Sequence, residues 1–159
     1  MPSIPTRISA ALVTCLMGWN AMSVASERFD IIEIRLVAEN PGIDGPRLTL
    51  DGTEQVVEVE TAPLLSSSDF VGTGDVGRTE GKAGFEVQLT RSGAETLKRI
   101  STENVGRSLA LIVDGKLLMT PKILDPIVAD GFLVTVNGSE AEARGLAAKI
   151  NKAIAKKGG

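Results

Sequence analysis

Between residues 29 and 38, Ile32, Ile34 and Leu36 alternate with Glu33, Arg35 and Val37, the period-two pattern of a half-buried strand. Asn40-Pro41-Gly42 interrupts it, and the run to Pro46 reads as a loop. A hairpin is predicted next, with strands over 47–50 and 55–61 and a turn at 51–54; Val57 and Val59 lie opposite in pleat to Glu58 and Glu60. Alternation resumes at 85–89, where Phe85, Val87 and Leu89 share a face. The period then lengthens. Ser92-Gly93-Ala94-Glu95 has the S-x-x-E form of a capping box and predicts a helix buried along Ala94, Leu97 and Ile100-Ser101, with Gly106 as its stop. Strands over 108–113 and 116–119 flank Asp114-Gly115, a pair suited to a type I′ turn because both central residues need positive φ. The segment 121–126, bounded by prolines, leads to a strand at 131–136, a turn at Asn137-Gly138, and a second box at Ser139 and Glu142. The last helix runs to about Lys157, with Ala143, Leu146, Ala147, Ile150, Ala153 and Ile154 on its apolar face. Its basic end, Lys149, Lys152, Lys156 and Lys157, suits the negative pole of the helix dipole.

Two helices with one apolar stripe each, set among hairpins, predict an α+β fold: a two-layer sandwich, mainly antiparallel, with both helices on one face of the sheet. The remaining stretch, about 66–84, reads as a flexible glycine-rich loop. Ser66-Ser67-Ser68-Asp69 suits the cap of a short helical turn, and Gly72, Gly74, Gly77, Gly81 and Gly84 follow closely. Gly72-Thr73-Gly74-Asp75-Val76-Gly77 spells G-x-G-x-x-G, but no convincing strand precedes it and no helical period follows, so a dinucleotide site is not expected. Gly81-Lys82 lacks the earlier glycine and the following Ser/Thr of a phosphate-binding loop.

Composition narrows the chemistry. The 159 residues include no histidine, no tyrosine and a single cysteine, Cys15. Ser-His and Cys-His catalysis are therefore excluded, zinc lacks its usual ligands, and no calcium loop motif is present. The chain is read as a non-enzyme with no cofactor and no metal. Aromatics make up 3% of the sequence, so the core must be aliphatic. Residues 26–90 carry 13 acidic and 5 basic side chains, and 91–159 carry 7 and 11. That acidic balance and the shortage of stacking rings argue against nucleic acid as a partner. Residues 1–25 read as a signal peptide: Arg7, an apolar run over 8–17, and Ser23-Val24-Ala25 before Ser26. An uncleaved anchor is the alternative. Beyond residue 25 no stretch approaches the roughly 18 apolar residues of a membrane span, and residues 26–159 read as one domain in the periplasm.

The stretch 102–127 also resembles the SecD/SecDF protein-export subunits, in the head part of their first periplasmic domain. There an ENVG-type helix end leads to a strand, a DGK turn, a second strand and an (A/T)P-x-I-x-(D/E)-P-I run. Here these are Glu103-Asn104-Val105-Gly106, Asp114-Gly115-Lys116, and Thr120-Pro121-Lys122-Ile123-Leu124-Asp125-Pro126-Ile127. Residues 29–40 are similar to the family's LEFRLV-type strand, 72–76 to its G-x-D-(L/V) turn, 85–94 to its strand and T-x-x-GA helix start, and 139–148 to its E-A-x-x-LA helix. The resemblance implies a head domain that engages polypeptide or protein-export components. In the family a transmembrane bundle supplies proton-coupled pulling, which this sequence is not expected to support alone, and the base part of the domain looks absent or much reduced.

The candidate partner-binding residues are Gly72, Gly74, Asp75, Asp114, Gly115, Asp125 and Pro126. Turn chemistry alone also accounts for residues of these types. Two functions from different classes follow. One is a non-enzymatic periplasmic binding module that holds unfolded chains or docks on the translocase. The alternative is an interaction or inhibitor protein that uses the same fold to bind one specific folded partner.

Overall fold

Asp114 and Gly115 take φ values of 51° and 74°, the double left-handed geometry that a two-residue hairpin of this twist needs. They join β6, Leu109–Val113, to β7, Lys116–Met119. The computed structural model describes residues 29–42 and 45–158. The expected signal segment, 1–25, lies outside the described residues. In chain order the other elements are β1 (Ile32–Leu36), β2 (Arg47–Thr49), β3 (Val56–Glu58), β4 (Phe70–Thr79), β5 (Lys82–Leu89), α1 (Arg91–Glu103), β8 (Gly131–Val136) and α2 (Glu140–Lys157).

The architecture is α+β with antiparallel sheets, as expected. The strands divide into three sheets: β1-β6-β7, β2-β3 and β4-β5-β8. The alternating residues Ile32, Ile34 and Leu36 of β1 and Leu109, Leu111 and Val113 of β6 face the main core. They meet Ala83, Phe85, Val87 and Leu89 of β5, Val134 and Val136 of β8, Leu97 of α1, and Ala143, Ala147 and Ile150 of α2. Both helices therefore turn part of their predicted stripes into the same aliphatic core, while Ile100 and Ser101 of α1 are buried beside it. The opposite face of β6, Ala110 and Ile112, packs with Val57, Val59 and Leu117 in a second, smaller cluster under the β2-β3 hairpin.

Three local expectations change. First, β4 occupies the stretch read as a glycine-rich loop: a single 3-10 turn, Ser67–Asp69, leads into a ten-residue strand that pairs with β5. Register shifts between Phe70 and Gly72 and between Thr73 and Val76 mark two irregularities, each placing an extra residue on β4. Bulges and glycines give a strand the composition of a loop. Second, α1 is capped by Thr90, not by the Ser92 box. Thr90 Oγ1 accepts from the Gly93 N–H at 3.0 Å, while the Thr90 N–H donates to the Asp69 carbonyl at 2.9 Å. Gly93 lies so close to that carbonyl that a Cβ would overlap it, and Glu95 pairs with Arg91 instead. The Ser139–Glu142 box forms as read, with both reciprocal bonds made. Third, Glu33 and Arg35 are buried. The alternation in β1 is real, but the polar side is covered too, because residues 58–65 run along β1 and the β2-β3 hairpin closes over that side of the sheet.

Candidate functional site

Strands β7 and β8 each end a sheet, and β7 packs beside β8 without entering its ladder. A terminal strand offers backbone N–H and C=O groups along its free edge. On β7 part of that edge is used, since Leu117 bridges Leu50 and its carbonyl accepts from the Asp51 N–H at 2.8 Å. Between the two strands lies an apolar groove of about 250 Å³. Ile34, Leu109 and Leu111 from β1 and β6 form its floor, and Leu97 of α1 joins them. Met119 and Pro121 line one wall, and Phe132 and Leu133 of β8 the other. Ile127 comes from the strap of residues 120–130. A second depression, between Met119-Thr120-Pro121 and Thr135, shares the Met119 and Pro121 wall.

The site's geometry is held from outside the groove. Phe132 is set edge-on to the buried Phe70 ring, at 6.3 Å between centroids and 78° between planes. The strap is pinned where the buried Ile123 exchanges backbone bonds with Gly106 and Arg107, both at 2.8 Å. It is pinned again where the Asp130 carbonyl accepts from Leu89 at 2.7 Å. Leu133 is 43% exposed and Leu124 and Val128 more than 70%, so apolar surface continues from the groove to the outside of the strap. No titratable side chain lines the groove. It can hold apolar side chains, and it offers no general acid, base or nucleophile.

The seven candidate residues fall in three surroundings. Gly74 and Asp75 form the second bulge of β4, and Gly72 lies against Asn151 of α2. Asn151 accepts from the Thr73 N–H at 2.8 Å and donates to the Thr73 hydroxyl at 2.9 Å. Asp114, beside Gly115 in the hairpin turn, pairs with Lys149 of α2. Lys149 and Asn151 lie about 200° apart around the helix, so the first two groups fasten α2 from opposite sides. A third fastening sits at the helix end, where Lys157 Nζ donates to Asp30 at 2.9 Å and to Ser67 Oγ at 2.8 Å. Burial pushes the Asp30 carboxyl up, but the Ser67 and Lys157 bonds outweigh it and hold the group below its ordinary pKa. Asp125 and Pro126 are exposed on the strap, and only this pair adjoins the groove.

Pattern reading missed the groove because its lining consists of residues that a core would also contain. One signal was available: in Phe132-Leu133-Val134 the outward position of an alternating strand is filled by leucine.

A family model described as the P1 head subdomain of SecDF matches residues 45–154. The protein translocase subunit SecD of Acidaminococcus fermentans is 25% identical over 118 residues, covering 71% of this chain and 28% of that protein. SecD of Leptotrichia buccalis is 28% identical over 123 residues, covering 71% and 30%. The chain thus spans less than a third of the length of these curated relatives. A solved structure described as a membrane component SecDF that enhances protein export aligns at a TM-score of 0.61 and 20% identity, covering 79% of this chain and 63% of the other. SecDF in a super-membrane-facing form aligns at 0.59 and 19%, covering 76% and 18%. These two likenesses are ones of fold.

Proposed function

The chain belongs to the SecDF P1 head subdomain family, and from that premise we propose that it is a non-enzymatic binding module that takes up extended polypeptide in the groove between β7 and β8. Its relatives are protein translocase subunits, which supports a role related to protein export. The polypeptide occupant is our reading, carried by one observation: an apolar groove lies against the free edge of β8. An extended chain needs both features, backbone partners along an edge and apolar room for alternate side chains. Absence of histidine and tyrosine, with no titratable group in the groove, supports a module that holds rather than transforms. In this reading the domain works in the periplasm and meets polypeptide or components of the export machinery there. Among the described residues no helix is long and apolar enough to cross a membrane.

The test is titration of a fluorescein-labelled, permanently unfolded polypeptide into the protein, followed by anisotropy. Wild type should bind saturably, and Leu133→Asp should abolish binding while leaving the melting temperature close to wild type. If wild type ignores unfolded chains but captures one folded protein tightly, the single-partner alternative replaces this reading.

A further inference from the structure

We propose that Ser101 is the positioning residue that sets the Ile127 wall of the groove, and so its affinity for polypeptide; the affinity half of this inference rests on the polypeptide reading above. Ser101 is fully buried on α1, one turn beyond Leu97, which lines the groove. Its hydroxyl donates to the Lys98 carbonyl at 3.0 Å and accepts from the Ile127 N–H at 2.7 Å. The hydroxyl donates once and accepts once, so the serine rotor is held and the strap is held by it.

The strap gives that one bond its weight. Residues 123 and 130 are anchored by backbone bonds. Among the described residues, the Ile127–Ser101 bond is the one hydrogen bond that ties 124–129 to the rest of the protein. Leu124, Asp125, Pro126 and Val128 are exposed and make no comparable anchor. Without the serine oxygen the Ile127 N–H must find water, and the Ile127 side chain no longer has a fixed place in the wall. A wall that must be ordered on binding lowers affinity even when every contact is finally made. A buried alanine, by contrast, keeps the helix and removes one oxygen.

The experiment compares wild type, Ser101→Ala, Ile127→Ala and the double variant. Amide exchange is read at residues 123, 127 and 89, and affinity is read with a short labelled peptide carrying leucine at alternate positions. Ser101→Ala should speed exchange of the Ile127 amide about tenfold while the amides of Ile123 and Leu89 stay protected. Its peptide affinity should fall about fivefold, the equivalent of one ordinary hydrogen bond. In the Ile127→Ala background, already lacking the wall, Ser101→Ala should cost nothing further. Unchanged exchange at Ile127 overturns the inference, as does an equal loss of affinity in both backgrounds. Should Ser101→Ala fail to fold, Ile127→Ala at its half-buried position still decides: it must weaken the peptide severalfold, and full affinity overturns the role of the wall. If wild type takes up no peptide, the polypeptide reading fails, whereas the anchor stands or falls on the exchange rates.

Discussion

The two faces of the β1-β6-β7 sheet are built from alternate residues of the same strands, and both are buried, but they meet different surroundings. On one face, Ile34, Leu109 and Leu111 run from the main core into an open groove. On the other, Glu33 and Arg35 stand beside Ala110 and Ile112 and are sealed. Arg35 Nε donates to Glu33 Oε1, its Nη1 donates to the Glu60 and Thr61 carbonyls at 3.2 and 2.7 Å, and its guanidinium lies 4.8 Å from the Phe29 ring centroid. A groove over one face forgoes packing there even though its floor residues are only 3–4% exposed. Directional bonds on the other face tie β1 down: Arg35 reaches the Glu60 and Thr61 carbonyls of the neighbouring segment, whereas its ion pair with Glu33 lies within β1 itself. A rigid floor under the groove thus depends on the side away from it.

Breaking the sealed face should have the largest effect. Arg35→Leu leaves the Glu33 carboxylate buried beside apolar neighbours, and removing one partner of such a pair costs about 3–5 kcal/mol. Urea unfolding should show that loss; a midpoint near wild type would mean that the buried pair is not what holds the sealed face together. A second comparison sets Ile112→Ala on the sealed side against Leu111→Ala under the groove. Both truncate a buried aliphatic residue. Ile112 leaves a closed cavity and should cost about 4 kcal/mol, whereas Leu111 borders space that already exists and should cost nearer 2. Equal losses would show that the groove is as tightly packed as the core.

Much of this framework was legible and some was not, for physical reasons. Asp114-Gly115, the Ser139 box and the 131–136 strand were read correctly because each is decided within a few residues by backbone φ, a reciprocal cap or alternation. The Thr90 cap was missed because two candidate caps stood close together, and the distant Asp69 carbonyl chose between them. β4 was missed because two bulges and its glycines hide the alternation, although Glu80 and Gly81 join it to β5 in a local turn with φ values of 51° and 80°; only its tie to Asn151 is tertiary. Alternation in β1 told which residues share a face, and only the packing of residues 58–65 and the β2-β3 hairpin told that both faces are covered. Of the candidate site, Asp125 and Pro126 led to the strap. The groove itself needed the fold, since an open apolar lining and a closed core use the same side chains.

A smaller effect should appear with pH at the join between β1 and α2. Asp30 is held below its ordinary pKa in the folded protein, so its contribution is complete above the unfolded value, about pH 4. It is lost as pH falls through the lower folded value. Wild type should therefore melt above Asp30→Asn at neutral pH by a modest margin, under about 1 kcal/mol for a partly exposed pair. That margin should close below about pH 4. A margin that persists in acid would assign the effect to something other than the carboxylate charge.

The smallest effect on stability should come from Leu133, and for that reason it is the sharpest test of the open face. Its neighbours Phe132 and Val134 are turned toward the core and toward Phe70, whereas Leu133 is 43% exposed at the groove wall. Leu133→Ser keeps the β8 backbone and its bonds to β5, and a surface change of this kind moves stability by no more than about 0.5 kcal/mol. If the groove takes up extended chains, the same change removes apolar area at the point of contact and weakens the labelled peptide by tenfold or more, about 1.4 kcal/mol. Stability and binding then separate at one residue. A variant that loses both in proportion would make Leu133 an ordinary packing residue, and the two faces of the sheet would differ only in how completely they are covered.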